Sequence, residues 1–319
     1  MYYLLAILAG VVISTMVSLN GELTQAYGTY SAAVIIHVVG VIFAIILCVA
    51  RKEKILIKSG APIWAYLGGA IGVLTTLFNN YAFGRITMTS IVALGLLGQS
   101  LASVIFDSFG WLGIEKRQIK KNSVIGFLLA IVGIFLMMDQ SVSMAMPAVI
   151  LSLGAGITVV LSRMVNYRLS KETSPLVGSF INHLVGLPIC IVLALSFQRS
   201  FWKITASVKP WMFLGGILGV VTVLIFNITV PKVSAFRLTL LSFIGQVFTG
   251  ISLDLAQGLE YSNTSFTGGL VIAVGLLTNM ALDQWSIYKK QKEERYWKNI
   301  QEAENAHWEK VFSNEKLEE

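Results

Sequence analysis

Ten stretches of the chain are almost continuously apolar, at 2–20, 30–50, 62–83, 86–106, 122–138, 146–166, 176–197, 210–230, 235–255 and 264–283. Each is close to the roughly 20 residues an α-helix needs to cross the hydrocarbon of a bilayer. Backbone N–H and C=O groups find no water there, so only helices and closed barrels are stable. The runs are continuous rather than alternating, which selects helices. Charged residues make up 13% of the 319 positions, against about 25% in soluble domains. The sequence therefore predicts an all-α membrane protein with ten transmembrane helices. The first run has no Lys or Arg before its apolar core and a second follows at once. It reads as helix 1 rather than as a cleaved signal.

The formal charge of +7 comes from loops rather than from a nucleic-acid-binding face. With the N-terminus placed in the cytoplasm, the inner loops hold Arg51, Lys52, Lys54, Lys58, Lys116, Arg117, Lys120, Lys121, Arg163, Arg168, Lys171, Lys232 and Arg237. The outer loops hold Arg85, Arg199, Lys203 and Lys209. Cytoplasmic loops are the ones enriched in Lys and Arg, so the bias predicts a multi-pass membrane protein with both termini cytoplasmic. The two cysteines, Cys48 and Cys190, lie in apolar runs and form no metal or disulfide pattern.

The chain also repeats itself. Leu67-Gly68-Gly69-Ala70-Ile71-Gly72 returns as Leu214-Gly215-Gly216-Ile217-Leu218-Gly219, an offset of 147. The same offset carries Asn80 to Asn227, Arg85 to Lys232, Gln99 to Gln246 and Asp107 to Asp254. An offset of 146 carries Gly10 to Gly156, Asn20 to Asn166, His37 to His183 and Gly40 to Gly186, and one of 142 carries Gly126 to Gly268. Each half holds five spans, and an odd number forces the second half to cross in the opposite sense. Two inverted five-helix repeats are thus expected, at 1–140 and 141–284, followed by a tail at 285–319. Inverted repeats recur in secondary transporters, with the solute site near the midplane between them.

On Asn80, Gly98-Gln99-Ser100-Leu101 and Asp107, their partners Asn227, Gly245-Gln246 and Asp254, and Asn182-His183-Leu184-Val185-Gly186, the chain resembles the YdcZ-type family of the drug/metabolite transporter superfamily. The resemblance covers about 1–284 and looks like a fused pair of that family's usual single five-helix chains. It implies an inner-membrane exporter whose cavity is lined by helices 1–4 and 6–9, with helices 5 and 10 peripheral. It does not imply a particular solute. One departure is that helix 2 carries Ile36 where its counterpart carries Asn182. Another is the tail, which the short members lack.

Polar groups held in hydrocarbon are costly unless paired or facing a wet cavity. The candidates for solute binding are Gln99, Gln246, Asn80, Asn227, His37, His183 and Asn182. Each has a structural alternative: the glutamines as interhelical hydrogen bonds, the histidines as neutral rings bonded to a neighbouring helix, the asparagines as helix-end caps. The histidine pair also suits proton coupling, since imidazole titrates near pH 6.5. Glu22, Asp107 and Asp254 are candidates for gating or coupling, against a plain role at helix boundaries. The superfamily's small multidrug exporters use a helix-1 glutamate, but mid-helix 1 here holds Ser14, which favours a neutral or weakly charged solute. The glycine pairs at Gly69 and Gly72, and at Gly216 and Gly219, read as packing surfaces.

No catalytic or metal-binding motif is present, so neither an enzyme nor a cofactor is expected. The expected partners are a small-molecule solute, the lipid bilayer and protons as a candidate coupling ion, with no nucleic acid. Oligomeric state is open, and a fused repeat is able to act as a monomer. The tail spaces Tyr296, Ile300, Ala303, His307 and Val311 helically. It reads as a cytoplasmic amphipathic helix, with a frayed solvated tail as the alternative. The leading function is a secondary active exporter of a small polar metabolite or drug-like solute, working by alternating access. A facilitator or importer, a membrane scaffold and a membrane-embedded enzyme are the alternatives.

Overall fold

The computed structural model describes residues 1–55, 60–113, 123–137, 145–197 and 207–256. Beyond these it describes 267–268, 270–271, 274–275, 278, 281–282, 285–286, 288–289 and 292–302. The helices are α1 (Tyr2–Tyr27), α2 (Thr29–Ala50), α3 (Gly68–Ala82), α4 (Met88–Phe109), α5 (Ser123–Met137), α6 (Met146–Glu172), α7 (Pro175–Phe197), α8 (Leu214–Thr229) and α9 (Ala235–Ala256). Among the described residues there is no strand, only an isolated bridge between Phe83 and Ile86. The described residues from 267 to 302 are all helical.

Among the described residues, seven helices are long and apolar enough to cross a membrane: Tyr2–Tyr27, Thr29–Ala50, Ser90–Phe109, Met146–Glu172, Pro175–Phe197, Pro210–Thr229 and Ala235–Leu253. The α3 helix, with 15 residues and with Asn79 and Asn80 in its last turn, is not among them. The outer surfaces are apolar. Ile46 is 57% exposed, Val49 68% and Leu195 70%, while Ser14, Gln99 and His183 are buried. That inversion of the soluble pattern suits a lipid surround, where buried polar groups pair with one another or face a cavity.

Two helices run further than the hydropathy suggested. α1 continues past residue 20 to Tyr27 because no breaker intervenes before Gly28, whose φ of 83° turns the chain into α2. Glu22 is therefore inside a helix rather than after one. α6 continues to Glu172, its last turn held by an Arg168–Glu172 ion pair at 2.8 Å. Pro175, at the start of α7, disfavours a helical residue before it. Arg163, Arg168 and Lys171 are thus helical, and the assignment of Arg163 to a cytoplasmic loop is corrected: it lies in the body of α6 and is buried.

Packing is mostly between the two halves. α1 lies along α9 and α8, and α6 lies along α4 and α3. α2 packs on α7 and α8, α7 on α3, and α4 on α9. Exchanging each helix for its counterpart turns α1–α9 into α6–α4, α1–α8 into α6–α3 and α2–α8 into α7–α3. Every one of these pairs is in contact. The crossings are close because glycine lets backbones meet. A Cβ on Gly10 would collide with the Ser242 carbonyl oxygen, and one on Gly156 with the Gly95 carbonyl oxygen. These two collisions are the same one seen in each half.

Candidate functional site

A cavity of about 130 Å³ lies where α1, α2, α3, α4, α6, α7 and α8 converge. Its size compares with an engineered cavity of about 150 Å³ that takes up benzene. Gln99, Asn80, Asn227, His37, His183 and Asn182 all line it. Gln246 does not; with Ser14 and Gln99 it lines a smaller adjoining space.

The two histidines sit at the crossing of α2 and α7. Their ring centroids are 5.7 Å apart. Each ring lies over the other helix's glycine, His37 on Gly186 and His183 on Gly40. Nδ1 of His37 is 2.9 Å from the Ala33 carbonyl oxygen, and Nδ1 of His183 is 3.1 Å from that of Ser179. A carbonyl only accepts, so each Nδ1 carries a proton and donates. That leaves each Nε2 as the ring's open proton site.

One wall is a polar chain in which the expected Gln99 and Asn182 are joined by Ser162, Arg163 and Asn166, which were not among the candidates. Asn166 donates from Nδ2 to the Asn182 Oδ1 at 2.8 Å and to the Ser162 Oγ at 3.1 Å. Ser162 donates to the Gly68 carbonyl oxygen at 2.9 Å. Arg163 follows on the same helix, 2% exposed. Its Nη2 donates to the Gln99 Oε1 at 3.1 Å, and its Nη1 is 3.4 Å from the Thr239 Oγ1. The guanidinium carbon stands 3.9 Å over the Phe226 ring, a cation–π placement. Among the described residues, no carboxylate pairs with Arg163, and none lines the cavity. The signal that could have found Arg163 was the repeat itself: its counterpart at an offset of 146 is Val17, in the body of helix 1.

The walls of the cavity are rich in unmet hydrogen-bonding capacity. Asn20 Oδ1, Asn80 Nδ2, Arg163 Nε, Asn166 Oδ1, Thr222 Oγ1 and Asn227 Oδ1 have no partner among the described residues. Asn227 does anchor the start of α7, donating from Nδ2 to the Pro175 carbonyl oxygen at 3.0 Å. The unpartnered atoms are themselves buried, the Oδ1 atoms of Asn20 and Asn166 lying against Gly215 and Gly68, so they belong to the walls behind the cavity's surface.

The gating candidates lie elsewhere. Glu22 accepts from the Trp211 indole N–H at 3.4 Å and does not line the cavity. Asp107 accepts from the backbone N–H groups of Ala235 at 3.3 Å and Phe236 at 2.9 Å. It thereby caps the start of α9, where the helix dipole favours negative charge. The side chain of Asp254 lies outside the described residues. Two hydroxyl contacts bridge between helices. Ser14 donates to the Gln246 carbonyl oxygen at 2.8 Å, and Ser103 is 2.8 Å from Thr239.

A family model described as "Putative inner membrane exporter, YdcZ" matches the chain twice, at residues 1–136 and 147–287. Among solved structures, one crystal structure covers 88% of this chain and 96% of its own with a TM-score of 0.66 at 15% identity. That likeness is one of fold alone. No curated protein matches the chain.

Proposed function

The chain belongs to the YdcZ family of inner membrane exporters, and from that premise we propose that it is a secondary active transporter exporting a small polar metabolite by alternating access. Exporters of this kind are not an enzyme class. The observation that carries the mechanism is the cavity lined by polar side chains from helices of both halves.

In this reading the chain crosses the membrane ten times, as inverted repeats at 1–140 and 141–284, with both termini and the 285–319 tail in the cytoplasm. Three observations support it. One family model matches both halves, the packed helix pairs map onto one another under exchange of the halves, and matching glycines make matching close approaches. Two equivalent, oppositely directed halves can trade conformations, so that a cavity open on one face becomes open on the other.

The solute contacts Gln99, Asn80, Asn227, Asn182, His37 and His183, with Gln246 alongside, and the histidine pair is the proton-coupling element. Purified protein in proteoliposomes tests this. Replacing Gln99 and Gln246 together by alanine should reduce solute flux at least about tenfold, since each hydrogen bond contributes roughly 1 kcal/mol. Unchanged flux would remove the glutamines from the site.

A further inference from the structure

Resting on the transport reading, we propose that the solute is a small organic anion, its carboxylate drawn to the polar wall headed by Arg163 and its apolar body lying against Met16, Val17 and Ile36. A guanidinium stays charged in proteins, and a cation at membrane depth needs a counter-charge or a wet cavity. Arg163 is 2% exposed, its Nε–H has no partner, and among the described residues no carboxylate pairs with it. Asp254 is about four turns beyond Thr239 along α9, roughly 22 Å of helix. Glu22 and Asp107 are engaged elsewhere, with Trp211 and the start of α9. The missing negative charge is the one the solute brings.

The repeat supplies an internal control. Ser162, Arg163 and Asn182 occupy positions where the first half has Met16, Val17 and Ile36. All six line the same cavity. The Val17 position packs in the same frame without a charge, so the fold does not call for arginine there. A framework that is nearly symmetric therefore lines one cavity with Ser162, Arg163 and Asn182 from one half and with the apolar Met16, Val17 and Ile36 at the matching positions of the other. An oxyanion head on a short hydrocarbon body matches both, and a cavity of about 130 Å³ has room for a body such as benzene. A cationic solute would meet Arg163 as a like charge with no acid among the described lining residues to offset it.

The test uses full-length protein in detergent with three carboxylates (benzoate, hexanoate and 3-methylbutanoate), each beside its neutral amide. The expected result is saturable thermal stabilisation by at least one carboxylate and not by its amide. Arg163→Gln should weaken that binding about tenfold or more, as loss of a charged hydrogen-bond partner does, and Arg163→Lys should restore part of it. Amides that stabilise as well as their carboxylates, or carboxylate binding that survives Arg163→Gln, overturn the proposal. Monodisperse elution of Arg163→Gln and Arg163→Met separates lost binding from lost folding. Tracer counterflow then tells the two readings apart, with Arg163→Gln liposomes as the leak control. An amide carried by the wild type leaves transport standing and the anion refuted. A carboxylate that binds through Arg163 but is never carried leaves the binding site standing and transport refuted.

Discussion

His37 and His183 face each other across the α2–α7 crossing with ring centroids 5.7 Å apart, each ring seated on the glycine of the opposite helix. Their positions are related by the 146-residue offset, so one contact is made twice. With both Nδ1 atoms tied to backbone carbonyls, any proton exchanged with the cavity enters at Nε2. Solute flux in proteoliposomes should depend on pH. The His37→Gln, His183→Gln double variant should lose that dependence. Identical pH profiles for the two proteins would rule the pair out as the coupling element.

Arg163 should be dispensable for stability. A buried charge without an ionic partner is a burden that a well-packed apolar side chain relieves. Arg163→Met is expected to unfold in detergent at the same temperature as the wild type or higher, while flux falls by at least about tenfold. A clear drop in unfolding temperature would mean that its bonds to Gln99 and Thr239 hold the helices together.

Asp107 should behave in the opposite way. Its carboxylate caps α9, and losing a hydrogen-bonded charge of this kind costs about 2 kcal/mol. Asp107→Ala should therefore lower the unfolding temperature and leave solute affinity unchanged in the folded fraction. If affinity or flux collapsed with stability intact, Asp107 would be a gate after all.

The close helix crossings give a matched pair of predictions. Gly10→Ala and Gly156→Ala each drive a methyl group into a backbone carbonyl of the facing helix. Overpacking of this kind costs about 1–3 kcal/mol, and the two variants should show similar losses in thermal unfolding. A neutral Gly156→Ala beside a damaging Gly10→Ala would mean that the two crossings are not equivalent.

Topology is open to a direct measurement. Arg85 and Lys232 are counterparts at the 147-residue offset, and both are exposed at helix ends. Cysteines placed at these two positions should label from opposite faces of sealed cells, Arg85→Cys from outside and Lys232→Cys from within. The native Cys48 and Cys190 are buried and contribute little background. Labelling of both from the same face would refute the inverted arrangement.

The sequence by itself determined that this is a helical membrane protein, because hydrocarbon leaves the backbone few choices and run length against bilayer thickness is a one-dimensional quantity. It also exposed the repeat, and with it Gln99, Asn80, Asn227 and the histidine pair, since equivalent positions are visible without coordinates. It misplaced Arg163, since a charge three residues before the end of an apolar run looks like the edge of a loop. Nor could it show that Asp107 caps the start of α9, because that contact joins residues far apart in the chain. Those assignments depend on which side chains meet across helix crossings. Only tertiary packing decides that, and here it lines one cavity with Ser162, Arg163 and Asn182 from one half and with the apolar Met16, Val17 and Ile36 from the other.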